Sequence, residues 1–158
     1  MIVPNQPLTS ILLDMVHGMC AMCAACALCL SVPGLARADI AVIVHRENSV
    51  HTLTARQVSD FYLGRARNSE SGELLNIYEQ PVDSVLREKF FYGLNGMNLK
   101  QLNAYWARLR FSGEVLPPVS VPDSQSMLNT VRRDRNALGY VDATTLDSSV
   151  RIVLLVKE

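Results

Sequence analysis

All four cysteines of the chain lie in one short segment, spaced three residues apart. Cys20, Cys23, Cys26 and Cys29 form a C-x2-C-x2-C-x2-C pattern, and thiolates at such a spacing can hold an iron–sulfur cluster. The residues between them are Ala, Met and Leu, and residues 15 to 35 contain no Asp, Glu, Lys or Arg. A cluster needs hydrogen-bond donors around its sulfurs, so this apolar setting argues against one.

The same segment has the pattern of a secretory signal. Its apolar part, residues 19 to 32, would make a helix too short to cross the ~30 Å hydrocarbon core of a bilayer. Pro33 and Gly34 interrupt it, and Ala36, Arg37 and Ala38 supply a small-x-small cleavage pattern. We therefore predict a Sec-type signal peptide over residues 1 to 38, cleaved after Ala38, and a periplasmic mature protein. A retained anchor and a cluster-binding segment are the alternatives.

Residues 39 to 158 contain few groups that could carry catalysis. They hold no cysteine, only His45 and His51 as histidines, and no Gly-rich phosphate loop or G-x-S-x-G turn. Without a nucleophile paired to a base, or a set of metal ligands, we predict no catalytic residues, no metal site and no cofactor. The protein is therefore not expected to be an enzyme. The chain has 15 Lys plus Arg and 15 Asp plus Glu, so its zero net charge predicts no nucleic-acid partner.

Strand and helix patterns alternate along these residues. Residues 39 to 45 are apolar and mostly β-branched, which predicts a strand buried on both faces. Thr54 with Gln57, and Asn98 with Gln101, have the form of capping boxes at helix starts. The predicted strands cover residues 39–45, 74–78, 119–121, 138–141 and 151–156, and the predicted helices begin near residues 55, 84, 99 and 124. The alternation predicts a layered α/β domain with a mixed β-sheet flanked by helices.

Two groups of side chains could form surfaces for binding. Tyr105 and Trp106 share the helical phase of two leucines, which favours packing in the core over a binding surface. Arg132, Arg133 and Arg135 could dock an acidic partner, but a solvated helix face is the simpler interpretation.

Four segments of the chain, taken in order, resemble the sequence pattern of a known family. They are IAVIVH, LTARQVSDFYLG, LNAYWARLRFSGEVLPP and LGYVDA. Together they resemble the phosphate ABC transporter substrate-binding family, which has the type II periplasmic binding-protein fold. The resemblance implies that residues 39 to 158 form one lobe of such a fold. It further implies a receptor that binds phosphate or a related oxyanion and delivers it to a membrane permease.

The family's phosphate motif is an Arg followed by Gly-Ser-Gly-Thr at the start of a helix. The matching stretch here runs from Gln80 to Glu88, with Ser84 at the family's serine and Arg87 at an arginine that often follows. Amides at a helix start, a hydroxyl and a guanidinium can together hold an oxyanion. The resemblance thus implies a site made of Ser84, Val85 and Leu86, with contributions from Arg87 or Gln80.

The motif also departs from the family at several positions. Gln80 stands for the arginine, Asp83 and Val85 for the two glycines, and Leu86 for the threonine. These changes remove a cation and a hydroxyl from the site, and Asp83 adds a negative charge of the same sign as the ligand. We therefore expect weak binding of an oxyanion. The alternative is an ordinary helix start capped by Asp83, with Arg87 on the surface.

The length of the domain raises a related question about the ligand. One lobe cannot enclose an anion, so a homodimer or another protein would have to supply the other wall. The competing functional hypothesis is an interaction or sensory module that has lost the ligand and docks onto an envelope protein.

Overall fold

The computed structural model describes residues 39–113 and 115–157 of the chain. The predicted signal peptide and its four cysteines lie outside these residues. Within them, five strands are formed by β1 (Ile40–His45), β2 (Asn76–Glu79), β3 (Val119–Ser120), β4 (Ala137–Asp142) and β5 (Val150–Val156). The α-helices of the same residues are α1 (Ala55–Tyr62), α2 (Val85–Asn95), α3 (Leu99–Ser112) and α4 (Ser124–Arg133), and a 3-10 turn follows β4 at Ala143–Thr145.

The five strands form one mixed sheet in the order β3-β2-β4-β1-β5. β2 runs parallel to both β3 and β4, whereas β1 runs antiparallel to β4 and β5. The predicted mixed sheet flanked by helices is therefore confirmed. The ends of β2 and β3 lie side by side, so the loops that follow them emerge at the same edge.

The central part of the sheet is buried on both faces, as the continuous apolar run of β1 predicts. Ile40, Val42 and Val44 pack into a core cluster with residues of α1, α2 and α3. Ala41 and Ile43 pack into a second cluster, which contains the buried residues of α4. Successive strand residues point to opposite faces, so one short strand contributes to both cores.

The two predicted capping boxes are both present. Thr54 Oγ1 accepts the backbone N–H of Gln57, and Asn98 Oδ1 accepts that of Gln101. The glutamine side chain reaches back to the cap backbone in each case. α2 ends at Gly96, whose φ of 73° lies in the left-handed region that favours glycine.

The predicted elements differ from the observed ones mainly at their ends. The strand predicted over 74–78 is observed two residues later at its start, because Leu74 is half-exposed and pairs only with Asn68 in an isolated bridge. On α3, Leu102 and Trp106 are buried as predicted. Tyr105 is only half-buried, and its hydroxyl donates to the carbonyl of Leu63 at 2.7 Å.

Candidate functional site

The start of α2 directly follows the end of β2 and a turn at residues 81–83. Ser84 is the N-cap residue, and its side chain makes no capping hydrogen bond. Its own N–H donates to the Pro81 carbonyl at 3.0 Å, and its carbonyl accepts the N–H of Glu88 at 3.1 Å. The alternative in which Asp83 caps this helix is wrong, because the N-cap residue is Ser84, one position later.

Three backbone N–H groups at this helix start donate no hydrogen bond within the described part of the chain. The N–H groups of Val85, Leu86 and Arg87 have no hydrogen-bond acceptor among the described residues. By contrast, α1, α3 and α4 are capped by the side chains of Thr54, Asn98 and Asp123 respectively. Free amides and the positive end of the helix dipole favour a negative ligand at this point.

The surroundings of the helix start are accessible but electrostatically mixed. Val85 is 66% exposed and Val82 is 59% exposed, so the surface at this helix start is open to solvent. The exposed residues Asp83 and Glu88 carry negative charge close to the same amides. Such charges oppose an anion and lower the affinity that the amides alone would give.

Arg87 points into the protein rather than toward solvent. Only 2% of the residue is exposed, and its Nε donates to Glu79 Oε1 at 2.7 Å. Its Nη1 donates to the Val82 carbonyl at 3.1 Å and to Asn103 Oδ1 at 3.0 Å. The guanidinium also lies 5.6 Å from the centre of the Phe91 ring. The alternative of a surface arginine is therefore wrong, and the guanidinium holds the turn before α2.

Gln80 is likewise occupied inside the protein. It is 3% exposed, its side-chain Nε2 donates to the Tyr140 carbonyl at 3.1 Å, and its backbone N–H donates to the Tyr140 hydroxyl at 3.4 Å. Burial raises the pKa of the Tyr140 phenol well above its ordinary value, as it does for Tyr62 beside it. Both phenols therefore remain protonated and serve as fixed hydrogen-bonding groups.

The sequence prediction missed Glu79 and Asn103, the side chains that hold Arg87. Burial raises the pKa of the Glu79 carboxyl, and the neighbouring guanidinium partly lowers it again. A signal for the burial of Arg87 was present in the sequence, because Arg87, Phe91 and Leu94 lie at i, i+4 and i+7 on one helix face. No comparable local signal marks Asn103, which lies on a different helix.

The five predicted site residues therefore fall into two groups. Ser84, Val85 and Leu86 lie together at the open start of α2. The side chains of Arg87 and Gln80 belong to the polar network beneath it, and of these two only Arg87 presents a free backbone amide.

The other residues considered from sequence have ordinary structural surroundings. His45 Nδ1 accepts the backbone N–H of Glu47 at 3.0 Å. Arg132 pairs with Asp147, and Arg135 pairs with Glu47. Among residues 39–113 and 115–157 there is no cluster of three or more metal-ligating side chains. The helices of this part of the chain are all too short or too polar to cross a membrane.

Comparison with solved structures identifies the fold. The chain superposes with a TM-score of 0.59 and 22% identity on a protein from Clostridium perfringens, assigned as a phosphate ABC transporter substrate-binding protein and solved with bound phosphate. It superposes with a TM-score of 0.58 and 18% identity on an ABC-type phosphate transport receptor from Vibrio cholerae. The domain has the fold of phosphate substrate-binding proteins. No protein-family model and no curated protein matches the chain.

The match to this fold covers only part of the solved receptors. It includes 73% of this chain, but 44% of the Clostridium perfringens chain and 45% of the Vibrio cholerae chain. The chain thus spans less than half the length of these substrate-binding proteins, which agrees with the prediction of a single lobe.

Proposed function

We propose that the domain is an exported, periplasmic receptor that binds phosphate or a related oxyanion at the start of α2, without catalysis. The observation that carries this proposal is the uncapped helix start, where three amides are free of acceptors among the described residues. Its place in a phosphate substrate-binding fold supports the same ligand class. Helix starts of this kind are suited to anions because amide donors and the helix dipole act together.

The residues of the site have distinct tasks in this proposal. The anion accepts hydrogen bonds from the amides of Val85, Leu86 and Arg87 and from the Ser84 hydroxyl. The Arg87 guanidinium holds the preceding turn through the Val82 carbonyl. Gln80 fixes the end of β2 against β4 through Tyr140. The two inward side chains thus position the amides rather than contact the ligand.

Binding to the isolated domain is expected to be weak. The guanidinium is already paired, and Asp83 and Glu88 oppose negative charge. A single lobe also leaves the outer side of the anion in water. We propose that a second copy of the domain, a membrane permease or another envelope protein covers that side in the cell.

A protein-docking role without a ligand is the second candidate. The specific observation in its favour is the exposure of Val82 and Val85 next to the free amides. An apolar rim at this position suits a protein surface better than it suits a hydrated anion.

A thermal-shift titration separates the two functions. The purified protein is titrated with phosphate, sulfate and chloride at matched ionic strength, and the titration is repeated on Ser84→Ala. Ser124→Ala is the matched control, because Ser124 also opens a helix but that helix is capped by Asp123. An oxyanion-specific rise in Tm that only Ser84→Ala abolishes supports the receptor. No rise with any anion contradicts it and favours docking.

A further inference from the structure

A second candidate site lies beside α3 and adjoins the start of α2. It is an open cavity of about 430 Å³, between α3, the end of β2 and the loop before β3. Its volume falls in the range of small-molecule pockets, about 300 to 1,000 Å³. Ser84, Val85 and Leu86 are not among its lining residues, whereas Val82 and Arg87 are. The cavity therefore adjoins the proposed oxyanion site but does not contain its Ser84, Val85 and Leu86 donors.

Among the described residues around this cavity, one positive charge has no ion-pair partner. Glu79 and Arg87 both line it and neutralise each other through their 2.7 Å contact. Arg110 also lines it, is exposed, and makes no ion pair with any described residue. A ligand with a single negative charge would therefore match the cavity.

Neutral donors and apolar surface complete the lining. Asn103 uses its Oδ1 to accept from Arg87, which leaves its side-chain N–H groups for a ligand. Pro117, Pro118 and Ala107 supply apolar surface next to these donors. An apolar wall with a few convergent polar groups is the usual composition of a small-molecule site.

Trp106 supplies the aromatic part of the lining. It is 5% exposed and lines the cavity, and its indole Nε1–H is buried with no hydrogen-bond partner among the described residues. Because this N–H is not accessible at the surface, a ligand in the cavity would meet the apolar part of the indole ring.

We propose that this cavity binds a small organic monocarboxylate with an apolar body. The carboxylate pairs with Arg110 and accepts from Asn103, while the apolar body lies against Trp106 and the two prolines. Phosphate fits less well, because a dianion would meet only one unpaired cation in this wall.

The single tryptophan of the chain makes binding directly measurable. The purified protein is titrated with cyclohexanecarboxylate while Trp106 emission is recorded, and the same titration is followed by calorimetry. Cyclohexanecarboxamide is the uncharged comparison ligand, and inorganic phosphate is the comparison anion. We expect a saturable response to the carboxylate, and a weaker response to the amide.

Two variants on α3 test the role of the charge. Arg110→Gln should weaken carboxylate binding about tenfold, as expected for loss of one charge-assisted contact. Arg108→Gln is the matched control, since Arg108 lies over the Tyr105 ring at 5.8 Å and does not line the cavity. It should leave the affinity unchanged.

Several results would overturn this proposal. They are an absence of saturable binding in both measurements, equal binding of the amide, or equal weakening by the two variants. If phosphate raises Tm in a way that depends on Ser84 but does not change Trp106 emission, phosphate binds at the oxyanion site and not in the cavity.

Discussion

Arg87 in the first turn of α2 and Glu79 at the end of β2 form a buried ion pair. Removal of one partner leaves the other charge buried and unpaired, which is strongly destabilising. We predict that Arg87→Met lowers the free energy of unfolding by about 3–5 kcal/mol, measured by urea denaturation. Arg133→Met is the control, because Arg133 is exposed. A loss below about 1 kcal/mol for Arg87→Met would contradict the buried pair.

The same pair predicts a pH dependence with a definite sign. Burial raises the pKa of Glu79, so the folded state takes up this proton before the unfolded state as pH falls. The contribution of Glu79 to the free energy of unfolding therefore decreases as pH rises from the ordinary glutamate pKa to the raised pKa of the folded state. The Arg87 guanidinium lowers the pKa of Glu79, so removing the guanidinium raises this pKa further. The loss of unfolding free energy caused by Arg87→Met should therefore be larger at about pH 8 than at about pH 5.

A second substitution provides the control for the pH effect. Adding Glu79→Gln to Arg87→Met removes the titrating carboxyl, so the additional loss of unfolding free energy at high pH should disappear. If that additional loss persists, a different group causes the pH dependence.

The starts of α2 and α3 differ in a way that stability measurements can detect. Asn98 accepts the Gln101 amide at 2.9 Å, whereas the Ser84 side chain caps nothing. We predict that Asn98→Ala lowers the free energy of unfolding by about 1 kcal/mol. Ser84→Ala should change it by less than about 0.5 kcal/mol in the absence of anions. Thermal denaturation of both variants in chloride buffer makes the comparison.

The result bears directly on the proposed oxyanion site. A cost for Ser84→Ala as large as that for Asn98→Ala would mean that the hydroxyl caps α2. It would then not be available to a ligand, and the proposed site would lose its only side-chain donor.

The domain as a whole corresponds to only part of the longer phosphate receptors. It matches 45% of the Vibrio cholerae receptor chain. Each missing charge-assisted hydrogen bond costs about 1.5 to 3 kcal/mol, and a factor of ten in Kd is about 1.4 kcal/mol. We predict a phosphate affinity at least about a hundredfold weaker than that of this receptor, measured by calorimetry in one buffer.

The oligomeric state decides how that comparison is interpreted. Sedimentation at the calorimetry concentration shows whether the protein is a monomer or a dimer. Comparable affinity in a monomer would contradict the need for a second wall. Tight binding that appears only in a dimer would show that a second copy supplies it.

Local patterns in the sequence were sufficient to predict most of the fold. The apolar run of β1 predicted burial on both faces, and the capping boxes at Thr54 and Asn98 predicted the starts of α1 and α3. These features depend on residues within a few positions of one another, through backbone hydrogen bonds and the periodicity of side chains. Strand ends were less predictable, as at Leu74, because pairing with a neighbouring strand sets them.

Local sequence patterns are enough to predict an α/β domain with a helix starting beside Ser84. The inward orientation of Arg87 toward Glu79 and Asn103, and the lack of a side-chain cap at Ser84, follow from how the separate elements pack. This is because the partners of a buried charge come from other elements, here β2 and α3. Packing of those elements, rather than the local sequence, determines which donors remain free for a ligand.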